Sequence, residues 1–190
     1  MVNQDSLILE LFSRVKALEE KVTSLEKQTI EKNPEYGTGS DGQGKKITRS
    51  VARQYVIKRI KKSYPSSDVT IGNRSTPADL IIKINSTINA KFYYSRSYNE
   101  DYPSSWYTIK KNDLLDDNNL YIFTFSYNEE FHTLLLTLSE LKELVKSKQP
   151  DSNDKFHFYF HKRGDQLLDV RENELDVSEY YERWEILNEL

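Results

Sequence analysis

An α/β fold with a mixed central sheet and flanking helices, preceded by an N-terminal coiled-coil helix, is what this sequence predicts. Three observations carry that expectation. Residues 7–28 follow a heptad pattern, residues 29–44 hold four of the six glycines, and from Lys45 onward apolar residues alternate between helical and strand spacing. The expected organisation is a coiled-coil helix at 1–28, a glycine-rich linker at 29–44 and one folded domain at 45–190. At 190 residues the chain has room for one domain with a real core plus an appendage.

In the first segment Ile8, Val15 and Val22 fall at a positions, and Leu11, Leu18 and Leu25 at d positions. β-branched a with leucine d favours parallel dimers. Arg14 and Lys21 at g face Glu19 and Glu26 at e of a partner helix. Self-association through residues 7–28 is therefore expected. Leu7, Leu9 and Phe12 widen the apolar surface and leave open a helix folded back on its own domain, or a larger bundle.

The linker holds Gly39-x4-Gly44-Lys45, the spacing of a phosphate-binding loop. Lys46 stands where Ser or Thr would hold Mg²⁺, and no hydrophobic strand leads in, so an NTPase is set aside. Helix is expected over Lys45–Lys62, with Ala52, Val56 and Ile60 facing a core. Strands are expected at Asp68–Ile71, Asp79–Ile84, Ile88–Ser95, Leu120–Ser126, Phe131–Thr137 and Phe156–His161, with Leu167–Val170 as one more. Tyr98–Ser105 reads as a polar loop closed by Trp106. Leu138–Ser147 reads as a helix capped by Ser139, and Val177–Leu190 as an acidic amphipathic helix.

Composition excludes several classes of chemistry. The absence of cysteine removes thiol catalysis, cysteine-based zinc sites and disulfides. No signal peptide or membrane-length apolar run is visible, which points to a soluble, cytoplasmic protein. A net charge of −3 argues neither for nor against a nucleic-acid partner, so local patches must decide. His157 and His161, four apart on a strand, are about 13 Å from each other and cannot grip one metal. His132 stands alone. All three histidines read as structural or exposed.

The informative stretch runs from Pro77-Ala78-Asp79-Leu80 through Ile88-Asn89-Ala90-Lys91 to Ser95-Arg96 and Trp106. An aspartate at the start of one strand lies near a polar residue and a lysine on the next. Asn89 and Lys91 are two apart and share a strand face. An acid and a lysine converging there can hold a hard cation through oxygen ligands and steady a phosphate or a water.

The order of a helix, an Asp-led strand, an x-x-Lys strand, a tryptophan and a Tyr-Ile-Phe strand resembles the PD-(D/E)XK, or restriction-endonuclease-like, nuclease superfamily. The ending, Phe156-His157-Phe158-Tyr159-Phe160 and Glu179-Tyr180-Tyr181-Glu182-Arg183-Trp184-Glu185, fits the same resemblance, which covers residues 45–190. It implies Asp79 as the metal-ligating acid, Lys91 as the motif lysine, Asn89 as a catalytic position and metal ligand, and the Ala90 carbonyl as a further ligand. The metal implied is Mg²⁺ or Mn²⁺. The sequence departs from the pattern at Asn89, where the family usually carries a carboxylate. It departs again in the first helix, which has no acid where many relatives place a glutamate.

Between Lys45 and Lys62 stand eight cations and no acid: Lys45, Lys46, Arg49, Arg53, Lys58, Arg59, Lys61 and Lys62. Phosphates are their natural complement, and Arg96 extends the set. The acidic residues of the C-terminal segment are a competing internal partner. The expectation is a nuclease-fold DNA-binding protein, with divalent-metal-dependent endonuclease activity as its stronger form. The alternative is a catalytically inactive nuclease-like domain acting as an oligomeric nucleic-acid- or protein-binding module.

Overall fold

A computed structural model describes residues 47–190 apart from Arg74, Asp116 and Asp117. The coiled-coil segment, the linker, Lys45 and Lys46 lie outside the described residues. Thr48 caps the first helix, α1 (Arg49–Ser63), by accepting a hydrogen bond from the Val51 N–H. Ala52, Val56, Ile57 and Ile60 are its buried face, at the i, i+4, i+8 spacing the sequence predicts.

A five-stranded mixed sheet follows, in the order β1-β2-β3-β5-β6. Its strands are β1 (Asp68–Ile71), β2 (Leu80–Lys83), β3 (Thr87–Arg96), β5 (Leu120–Tyr127) and β6 (Glu130–Thr137). All neighbours are antiparallel except β3 and β5, which run parallel from Ala90↔Leu120 to Arg96↔Ser126. Strand β5 is buried from Leu120 to Ser126 because both faces of the sheet are covered. Leu120 and Ile122 join Ile88, Ala90 and Phe92 in the core under α1, while Tyr121, Phe123 and Phe125 face a second core.

That second core is closed by a feature the sequence reading does not contain. Strand β4 (Ser104–Lys110), expected as loop at its start, pairs with β7 (Lys155–Arg163), β8 (Gln166–Asp169) and β9 (Leu175–Asp176) in a separate antiparallel sheet. Tyr107, Ile109, Phe156, Phe158 and Phe160 point inward from this sheet onto the back of the first. The layers are therefore helix, mixed sheet and second sheet.

Helix α2 (Leu138–Lys146) packs Leu141 and Leu144 into the same core. Its cap is Thr137 rather than Ser139, in a capping box with Glu140. Both Arg183 Nη atoms donate to Glu140, at 2.9 and 2.7 Å. Burial works against the Glu140 charge, but hydrogen bonds from Arg183 and Thr137 outweigh it and hold the carboxyl below its ordinary value of 4.5. A depressed acid contributes stability above its unfolded pKa and loses it as pH falls through the folded one. Glu140→Gln should therefore destabilise by about 1–2 kcal/mol at pH 7, discounted for partial exposure, with the gap closing below pH ~4. Urea denaturation across that range checks it.

The expected C-terminal helix is instead two short 3₁₀ turns, Ser178–Tyr180 and Trp184–Asn188. Glu182, at φ 52°, turns the chain between them, and its N–H donates to the Thr133 carbonyl at 2.7 Å. Tyr181 also bridges to Leu134. Pairing with the β6 edge replaces the helical hydrogen bonds that the spacing of apolar residues alone suggests.

Candidate functional site

Glycine places the acid. A Cβ on Gly72 would lie 1.8 Å from the Ala78 carbonyl oxygen, so only glycine lets the 78–79 segment pass the end of β1. The Gly72 N–H then donates to the Asp79 carbonyl at 2.9 Å. Asp79 stands one residue before β2, and its own N–H donates to the Ala90 carbonyl at 2.9 Å.

The Asp79 side chain turns to β3 and to α1 together. Oδ2 accepts the Phe92 N–H at 3.0 Å, and Oδ1 accepts Arg49 Nη2 at 2.9 Å. Arg49 Nη2 also donates to the Phe92 carbonyl at 2.7 Å, with the guanidinium 5.4 Å from the Phe92 ring centroid. The Asp79–Arg49 pair thus satisfies both backbone groups of Phe92 and ties the first turn of α1 to the β2–β3 edge. With 44% and 29% of the two side chains exposed, the pair is worth little in stability. Its consequence is position.

Asn89 and Lys91 alternate with the buried Ile88, Ala90 and Phe92, so they share the face of β3 away from α1. Asn119 fixes Asn89 from the neighbouring strand end, with Oδ1 accepting the Asn89 N–H at 3.1 Å and its N–H donating to the Asn89 carbonyl at 2.9 Å. Tyr93, next on that face, donates to Asp113 Oδ2 at 3.2 Å and stacks on Phe123. Burial, then the neighbouring charge of Asp113 and more weakly of Asp79, pushes the Tyr93 hydroxyl well above its ordinary pKa. The motif positions Asp79, Asn89 and Lys91 therefore lie on adjoining strand ends.

Asn119, Tyr93 and Asp113 have no role in the sequence analysis, and Arg49 has one only as a phosphate-binding cation. Arg49 was visible only as one cation among eight. Asp113 follows a strand that the sequence reading did not recognise, so nothing pointed it at this face.

Among the described residues, which leave out Asp116 and Asp117, the donors at this site do not fit a catalytic Mg²⁺ or Mn²⁺. Asp79 is one carboxylate, with its oxygens already on Arg49 and Phe92, and Asn89 brings no charge. The Ala90 carbonyl is used by the Asp79 N–H. Among the described residues no group of three or more His, Asp or Glu side chains is arranged to hold a metal. A dication beside Asp79 would have to displace the guanidinium.

Of the cationic run, Lys58, Lys61 and Lys62 are exposed on α1, while Arg53 and Arg59 are partly buried. Arg59 lies 5.8 Å from the Trp184 ring centroid. Arg96 is not on a free surface, since Nε and Nη2 both donate to the Ile47 carbonyl, at 3.1 and 2.9 Å. His132 is buried in β6, stacked on Phe125, with Nδ1 2.8 Å from the Tyr181 hydroxyl.

These elements define a nuclease-like α/β fold. A bacterial homing endonuclease, I-Ssp6803I, shares it, with 14% sequence identity and a TM-score of 0.50 over 74% of this chain and 88% of that one. No family model and no curated protein matches the sequence. No helix among the described residues is long and apolar enough to cross a membrane.

Proposed function

We propose that residues 45–190 are a DNA-binding domain of nuclease fold that grips the phosphate backbone through the exposed lysines of α1, with Asp79, Asn89 and Lys91 as its motif site. The observation that supports this most is the group of exposed lysines at the C-terminal end of α1, Lys58, Lys61 and Lys62. They stand on the outer side of the helix, while Arg49, on its sheet-facing side, enters the motif site. A backbone lying on that outer side would meet all three lysines.

Cleavage assisted by Mg²⁺ or Mn²⁺ is the stronger form of the reading. The Arg49–Asp79 ion pair favours the weaker form, binding without cutting. Plasmid nicking with either metal, alongside calorimetric Mn²⁺ titration, separates them. The expected result is no nicking and no tight Mn²⁺ binding by the wild-type protein, and a gain of at least tenfold in Mn²⁺ affinity in Asn89→Glu combined with Arg49→Ala. Nicking by the wild type that vanishes in Asp79→Ala and Lys91→Ala would establish the endonuclease instead. Self-association through residues 7–28 belongs to the same proposal, because two copies can address two strands of a duplex. Light scattering should find an oligomer for the full chain and a monomer for residues 45–190.

A further inference from the structure

The outer face of the β4–β7 pair has no part in the site described above. Its inward residues are the buried Tyr107, Ile109, Phe156, Phe158 and Phe160. Alternation sends Trp106, Thr108 and Lys110 outward from β4, and Lys155, His157, Tyr159, His161 and Arg163 outward from β7. None of these outward positions is acidic, although the chain as a whole carries a net charge of −3.

The register sets the rings side by side. Trp106 stands opposite Tyr159, and the two ring centroids are 5.7 Å apart. Tyr98 crosses from the preceding loop, with its ring 6.5 Å from Tyr159 and its hydroxyl hydrogen-bonded to His161 Nε2. Lys110 and Lys155 face each other at one end of the row, and the Arg171 guanidinium lies 5.0 Å from the Tyr159 ring centroid. Three bordering acids are engaged, Asp151 with His157, Glu172 with Lys148, and Glu174 with Arg163, while Glu100 and Asp101 are exposed in the loop that carries Tyr98.

Cross-strand aromatic pairs stabilise a sheet by themselves. That role does not require the rings to face water, yet Trp106 is 54% exposed and Tyr98 53%. The exposed rings of Trp106 and Tyr98, flanking the partly exposed Tyr159 and bordered by cations, complement a chain of unpaired bases joined by phosphates. A duplex keeps its base faces stacked inside and cannot use them.

We propose that the outer face of β4 and β7 is a stacking platform for single-stranded nucleic acid, with bases on Trp106, Tyr159 and Tyr98 and phosphates on Lys110, Lys155 and Arg171. It is separate from the α1 surface, which lies across both cores on the other side of the mixed sheet. The two bindings can therefore be lost independently.

Anisotropy of a fluorescein-labelled oligothymidylate, titrated with the full chain, tests the platform. Trp106→Ala and Tyr159→Ala should each weaken binding by roughly tenfold, the scale of one lost base stack, and Trp106→Phe should keep most of it. Lys110→Gln with Lys155→Gln should flatten the salt dependence by about 1.4 log units per decade. Lys142→Ala, on the exposed side of α2, should leave oligothymidylate affinity unchanged. Wild-type Trp106 fluorescence should be quenched at saturation; Trp184, 4% exposed, is shielded and serves as the internal reference. That readout needs no variant to fold. Absence of binding, absence of quenching, or equal binding by Trp106→Ala overturns the proposal. So does heparin, a polyanion without bases, competing as well as oligothymidylate.

Discussion

Lys148→Ala should cost the domain about 3–5 kcal/mol, the scale of a buried charge stripped of its partner. Lys148 Nζ lies 2.7 Å from Asp169 and 2.9 Å from Glu172, with only 4% and 1% of the Lys148 and Asp169 side chains exposed. It also lies 4.7 Å from the Phe158 ring centroid. Asp169 Oδ1 accepts the N–H groups of Tyr159 and Arg171, so its charge is fully satisfied only while the lysine remains. Removing the ammonium leaves an uncompensated carboxylate in the interior. Lys148→Met with Asp169→Leu removes both charges and should recover most of the loss, because replacing a whole buried pair is often neutral. Urea denaturation read as a shift in midpoint measures both variants. A loss below about 1 kcal/mol for Lys148→Ala would mean that water reaches Asp169.

Replacing Lys58, Lys61 and Lys62 together with Ala should weaken duplex DNA binding by about 10–100-fold at low salt and flatten its log–log salt dependence by roughly 2.7. The three side chains are exposed, and alanine is a stronger helix former than lysine, so α1 should persist. Phosphate contacts carry no base information, so the loss should be the same for unrelated duplex sequences. Binding titrations with two such duplexes decide it. Unchanged affinity would return these lysines to a solvated helix face. Arg49 belongs to a different experiment, since its removal also unties α1 from Asp79 and Phe92.

Much of the mixed sheet was legible because its strands are long and apolar. Leu120–Tyr127 and Glu130–Thr137 fall within a residue of their expected limits, and Asp68–Ile71 coincides. Strand β4 was hidden by Ser104 and Ser105, both buried, which read as loop although they begin a strand. Without β4 the second sheet had no first member. The cap of α2 was recoverable, since Thr137-x-x-Glu140 is a capping-box signature. The C-terminal turns were not, because Glu182 takes a left-handed conformation fixed by contacts with β6.

The candidate site divides in the same way. Local spacing placed Asp79, Asn89 and Lys91 together because adjacent strands and period-two alternation are short-range properties. The occupant of the Asp79 carboxylate was not visible, because Arg49 lies thirty residues upstream and reaches it only through the packing of α1 on the sheet. That contact changes the chemical expectation. A lone acid awaiting a metal becomes an acid already balanced by a guanidinium.

Titration of a fluorescent DNA duplex with the full-length protein at several salt concentrations tests DNA binding by this domain most directly. The account predicts binding whose logarithm falls linearly with log salt, with a slope of several units that the Lys58, Lys61 and Lys62 substitutions reduce. Absence of binding at low salt, or binding insensitive to salt and to those substitutions, would contradict it.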